Sequence, residues 1–257
     1  MVDGFQPWAA HLQPALDSVL AAWADGLPVA GALTRELPGA PLLLPAGPLR
    51  FVPQASLPPG EAYEAFIHRT ATVPTRNNLH DLFNGLVWLA RPALKTRLNA
   101  LQAAEIQRAG IGAQRGRLRD ALTLFDENGA LLHGPADVLA ALLADLRARN
   151  WTALFVTHRA RWAQVRLTLI GHALLEQLAS APRKPLTAHV LVADPLHLSA
   201  DAWTSKPFLP LPVLGVPGWW PANEAPDFYA DATVFRPLRL DAKPAANQAG
   251  KKPSIDR

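Results

Sequence analysis

Residues 74–91, Pro-Thr-Arg-Asn-Asn-Leu-His-Asp-Leu-Phe-Asn-Gly-Leu-Val-Trp-Leu-Ala-Arg, decide how this chain folds. Leu79, Leu82, Phe83, Leu86 and Ala90 recur at helical spacing, so the stretch is a helix that buries one apolar stripe. Asn77, His80, Asp81, Asn84 and Trp88 fall on the other side. Asn78 suits the N-cap, and Asp81, three residues on, puts a carboxylate in the first turn, where the helix dipole favours it. Pro74 breaks the chain before this helix. Pro92 stops it and starts a second, whose stripe is Leu94, Leu98 and Leu101. One turn further the stripe delivers Glu105, a carboxylate where an apolar residue is expected. Buried, it needs a donor such as Lys95, Arg76 or His80.

Upstream, Trp8, Leu12, Ala15, Leu16, Val19, Leu20 and Trp23 predict an N-terminal helix over 8–25 that Gly26 ends. Residues 27–60 read as irregular, with a short strand near Arg50–Val52, and Glu61–Arg69 as a short helix. Downstream, apolar Leu122–Phe125 and Ala130–His133 flank Asp126-Glu127-Asn128-Gly129. That pattern predicts a β-hairpin over 122–133 turning at Asn-Gly. Pro135–Asn150 is a helix, 151–162 and 164–179 carry two more helical patterns, and 186–193 is the best strand candidate. The apolar, proline-rich stretch 207–221 must wrap over the body, because exposed it would aggregate. The expected fold is one α+β domain over 1–237, predominantly helical, with a small sheet that includes the hairpin and the 186–193 strand. Residues 238–257 form a disordered basic tail.

Half the residues are apolar and 18% are charged, a globular composition. Cysteine is absent, which removes disulfides, thiolate nucleophiles and Cys-ligated metal sites. No basic-then-apolar leader opens the chain and no apolar run is long enough to span a membrane, so a cytoplasmic location without membrane contact is expected. The net charge of +4 hints at nucleic acid. Five basic and two acidic residues between Arg239 and Arg257 account for most of it, so the folded body is nearly neutral. There is no Gly-x-Ser-x-Gly elbow and no Walker loop, and the glycines at 110–116 do not match the dinucleotide fingerprint.

Three constellations remain. His80, Asp81, Asn84 and Glu105 are the candidate catalytic set, with His80 as acid or base held by a carboxylate. His172 and Glu176, four apart on a helix, share one face and suit a divalent metal such as zinc or manganese, with His189 as a third ligand. An ordinary polar pair explains the same spacing. Arg115, Arg117 and Arg119 alternate before the predicted hairpin and would line one strand face as an anion site, or simply be solvated.

Pro-Thr-Arg-Asn-Asn-Leu-His-Asp-Leu-Phe-Asn (74–84), Leu-Asn-Ala-Leu-Gln-Ala-Ala-Glu-Ile (98–106), Arg-Asp-Ala-Leu-Thr-Leu-Phe-Asp-Glu-Asn-Gly (119–129), Gly-His-Ala-Leu-Leu-Glu (171–176), Thr-Ala-His (187–189) and Leu-Pro-Val-Leu-Gly-Val-Pro-Gly-Trp-Trp (211–220) together resemble a bacterial family, domain of unknown function 3025. The resemblance covers about 60–237 and implies that this span is one unit; it brings no catalytic residue or substrate. The leading expectation is an enzyme, with metal-assisted hydrolysis of a small molecule in a polar cleft. The alternatives are a binding module for RNA or another polyanion, and a scaffold whose polar clusters only hold helices together.

Overall fold

The computed structural model describes residues 6–111 and 116–238. A 3-10 segment, Pro7–Leu12, leads into helix α1 (Ala15–Ala24) and a short helix α2 (Val29–Arg35). Strands β1 (Leu43–Leu44) and β2 (Gly47–Pro48) pair as a small antiparallel ladder. Strand β3 (Arg50–Pro53), helix α3 (Tyr63–Thr70) and strand β4 (Thr72–Thr75) then form a parallel β-α-β unit with Phe51 opposite Val73. Helix α2 is a correction to the irregular reading of 27–60. Its four buried residues, Val29, Ala30, Ala32 and Leu33, are too few turns to show a clear period.

The central helix α4 (Leu79–Ala90) forms where expected. The Asn78 side chain accepts the Asp81 backbone N–H at 2.8 Å, the N-cap bond that its sequence position predicts. Helix α5 (Pro92–Ala109) follows without a loop, because Pro92 lacks the N–H that a helix's first turn does not use.

The predicted hairpin at 122–133 is not there. Helix α6 (Arg117–Asn128) runs through its first half and strand β5 (Gly129–His133) through its second. Gly129 has φ −74°, far from the left-handed region an Asn-Gly hairpin turn requires. Ala121, Leu122 and Phe125 form a helical stripe that the alternation of a few residues concealed. After helix α7 (Ala136–Ala148), the helical patterns expected over 151–162 and 164–179 also change. A π-helical turn, Ala153–Thr157, and a 3-10 turn, Arg159–Gln164, precede strand β6 (Arg166–Leu169) and helix α8 (His172–Ser180). Strand β7 (Thr187–Leu191) matches the 186–193 expectation. Helix α9 (Ala200–Thr204) and strand β8 (Leu209–Pro212) complete the elements.

The main sheet runs β6-β5-β7-β8, with β5 parallel to β7 and the outer pairs antiparallel. Strand β5 sits inside it and is apolar on both faces, as a covered strand must be. Prolines are tolerated in β8 because it lies at the sheet edge. The rest of the apolar stretch 207–221 packs down as expected, with Val213, Leu214 and Val216 buried. One apolar core runs from Trp8 to Phe235 and joins helices and sheet, an α+β fold that is mainly helical. No helix of the described residues is long and apolar enough to cross a membrane. The basic tail from 239 lies outside the described residues.

Candidate functional site

Helices α3, α4, α5 and α6 enclose a cavity of about 310 Å³, closed on one side by the first residue of α8. Each helix contributes polar residues at helical spacing: His80, Asp81, Asn84 and Trp88 from α4, and Lys95, Asn99 and Gln102 from α5. Thr123, Asp126 and Glu127 come from α6, and Tyr63 and Glu64 from α3. Leu57, Ile67, Leu98 and the face of Trp88 supply the apolar part.

Lys95 organises the interior. Its ammonium is 4% exposed, donates to Asp126 at 2.5 Å and Asn84 Oδ1 at 2.8 Å, and lies 5.5 Å from the centre of the Trp88 ring. A buried cation is tolerated only with such partners. Asn84 passes the chain on, donating to the Tyr63 hydroxyl at 3.0 Å. Burial, reinforced by the Asp81 and Asp126 charges, pushes the Tyr63 phenol up, so it stays protonated. Burial alone would raise the Asp126 carboxyl. The facing Lys95 ammonium, helped by His172 and His80, outweighs this and holds it below the ordinary carboxylate range.

Two histidines meet at the wall. His172 Nδ1 lies 2.7 Å from the Asp126 backbone carbonyl, which only accepts, so Nδ1 carries the proton. His172 Nε2 faces His80 Nε2 at 3.1 Å, and His80 Nδ1 faces Glu176 Oε2 at 3.0 Å. The two Nε2 atoms therefore stand within hydrogen-bond reach of each other. Burial, against the pull of Asp126 and with the help of Lys95 and His80, drives His172 down to about 4, so it stays neutral near neutral pH. Each ring is held at Nδ1, and the two Nε2 atoms converge at the cavity wall.

Close packing sets this up. Gly171 caps α8, and its N–H and that of Ile170 both donate to the Gly129 carbonyl, at 2.9 and 2.8 Å. A Cβ on Gly171 would stand 2.5 Å from the Glu127 carbonyl oxygen and 2.6 Å from the Asn128 nitrogen. Only glycine lets α8 begin against the end of α6, which puts His172 beside the Asp126 carbonyl.

His80, Asp81, Asn84, His172 and Glu176 are brought together, and Asp81 does more than cap its helix. It is buried, accepts the Arg76 backbone N–H at 2.6 Å and pairs with the Arg76 guanidinium at 2.8 Å. Asn77 serves the fold, accepting the Val29 N–H at the start of α2. Glu105 does not line the cavity. Its partner is Arg108 on the same helix, at 2.6 Å, and that hydrogen bond lowers its pKa. Lys95, Arg76 and His80 are engaged elsewhere.

His189 is not joined to His172 and Glu176: it is half-buried on β7 with its ring centre 6.0 Å from that of Phe208. Burial, with the Lys206 charge, lowers its pKa. Among the described residues no group of three or more His, Asp or Glu is arranged to hold a metal ion. The expected zinc or manganese ligand set therefore does not form, and His80 takes the place between His172 and Glu176 that the ion was to fill.

The strand face of arginines is likewise absent. Arg115 lies outside the described residues, while Arg117 and Arg119 start a helix, where residues two apart point to opposite sides. Arg117 is exposed, and Arg119 is buried 3.9 Å from Glu64. Lys95, Tyr63 and Asp126 were missed as site residues, as was Glu127, which lines the cavity with no side-chain partner among the described residues. The signal was the polar i, i+4, i+7 series Lys95, Asn99, Gln102 beside the leucine stripe.

Fold and cleft together define a mainly helical α+β protein whose polar site is built on a hydrogen-bonded pair of histidines. The chain belongs to the family described as Protein of unknown function (DUF3025), which it matches over residues 49–202 and 191–239. No curated protein and no solved structure matches it.

Proposed function

We propose that the cleft is the active site of a hydrolase that works by general acid–base catalysis on a small polar substrate. The observation that carries this reading is the 3.1 Å approach of His80 Nε2 to His172 Nε2, with both Nδ1 atoms held from behind. In the proposed cycle, His80 gives its Nε2 proton to the leaving group. Water attacks the scissile centre and loses a proton to the histidine pair, which ends with the proton count it began with. Glu176 steadies the imidazolium form of His80, and the Asp126 carbonyl fixes the His172 tautomer. Lys95 and Tyr63 stand in the cavity wall as donors for negative charge that develops on the substrate. A cavity of about 310 Å³ suits a small substrate rather than a polymer.

The test has two arms. Nitrogen-resolved histidine NMR is expected to show His172 neutral with its proton on Nδ1. Wild-type protein is then assayed on ester, amide, glycoside and phosphoester probes beside His80→Gln, which should lose about 100-fold or more of any turnover while keeping its fold. A His172 proton on Nε2 overturns the reading. So does full turnover in His80→Gln, or a stoichiometric metal in protein purified without chelator. A variant that only unfolds favours the scaffold role.

A further inference from the structure

A second, larger cavity of about 1320 Å³ lies beyond the α4–α5 elbow, and no residue lines both it and the cleft. Its floor is one face of the main sheet. Leu131 and His133 of β5 stand opposite Thr168 and Arg166 of β6, and cross-strand partners share a face. One wall is the elbow itself, with Arg91 and Leu94. The other carries Trp162, Trp219 and Arg159.

The charges around this groove are unbalanced. Arg159 is satisfied by Glu224 and Asn223. Arg91 is only half-exposed and yet, among the described residues, its guanidinium has no hydrogen bond or ion pair; Arg166 and the His133 ring, both exposed, have none either. The one carboxylate in the lining, Asp194, is already held by His197 and the Leu196 N–H. A half-buried guanidinium without a carboxylate is a place for an anion, and several cations around one groove favour a multiply charged one. Trp219, partly exposed on the wall, favours a flat ring beside that anion, while Trp162 behind it is buried and stacked on Phe155.

We propose that this groove binds a phosphate ester carried on an aromatic ring, the chemistry of a mononucleotide. Arg91 from the wall and Arg166 from the floor take the phosphate, and the ring lies against Trp219. The site is independent of the histidine cleft, so it stands or falls separately from the proposed hydrolase.

Titration of the full chain with AMP, followed by tryptophan fluorescence, tests it. AMP should change the emission saturably, and Arg91→Gln and Arg166→Gln should each weaken binding by about tenfold or more. Adenosine and inorganic phosphate should each bind at least tenfold more weakly than AMP, and His80→Gln should leave AMP binding unchanged. Absence of binding at millimolar AMP overturns the proposal, as does wild-type affinity in both arginine variants. Binding of a single-stranded oligonucleotide without AMP binding also overturns it, because that result assigns the groove to a polymer.

Discussion

Replacing Gly171 by alanine probes the packing that the site depends on. The backbone there, φ −65° and ψ 105°, is open to any residue, so the cost is space alone. The new Cβ would stand 2.5 Å from the Glu127 carbonyl oxygen, and ordinary contact begins near 3.4 Å, so α8 must retreat from α6 by about 0.9 Å. The atoms in the way are backbone, so no side chain can swing aside. The same retreat would carry the His172–Asp126 hydrogen bond from 2.7 Å to about 3.6 Å, past useful bonding. Overpacking of this kind costs about 1–3 kcal/mol, and for a chain of this size each kcal/mol moves Tm by about 2–4 °C. Calorimetry of Gly171→Ala should therefore show Tm lower by about 2–12 °C. Its histidine NMR should lose the fixed Nδ1–H signal of His172. A Tm within about 1 °C of wild type, with that signal intact, refutes the argument that glycine sets the distance between α6 and α8.

Acid should weaken the fold before the carboxylates titrate. His172 is held neutral down to about 4 against an ordinary 6.5, so as pH falls the unfolded chain takes up its proton first. This contribution to stability is complete above 6.5 and is lost by about 3 kcal/mol as pH drops to 4. Urea unfolding between pH 7 and 4.5 should show that slope, and His172→Gln should flatten it. His11, also lowered to about 4 by burial and the Arg91 charge, adds a similar slope that remains in the variant. Lys95→Met strands Asp126 and Asn84 without their shared donor and should cost about 3–5 kcal/mol in the same assay. Lys95→Met with Asp126→Leu should be less damaged than the single variant, because the charge left unpaired is gone.

How far the fold was legible depended on how many turns each pattern spans. The twelve residues of α4 carry a full stripe, an N-cap and a proline stop, and all three agree with the structure. Leu122–Phe125 offers four residues, which fit a strand alternation as well as a helical face. Only the packing of Ala121, Leu122 and Phe125 against the rest of the core decides for helix α6. The same ambiguity hid β6: Arg166–Leu169 is four residues long, next to a genuine helix, and its strand state rests on pairing with β5.

The site followed a related logic. His80, Asp81 and Asn84 stood out because polar residues interrupt no apolar period on the far side of α4, and His172–Glu176 because i, i+4 spacing needs only a helix to be meaningful. That His80 would sit between His172 and Glu176 depends on a contact across 92 residues of sequence, set by the close approach at Gly171. No local pattern encodes such a contact. His189 is close to Glu176 in sequence, yet β7 carries it away from the pair, whereas His80 reaches both residues from another helix. The asymmetry bears on the chemistry. A pair of imidazoles assembled from distant helices and held from behind at Nδ1 brings its two Nε2 atoms together at the cavity wall. A scaffold role needs no such convergence, since either bond to Glu176 or Asp126 would join the helices without the other histidine.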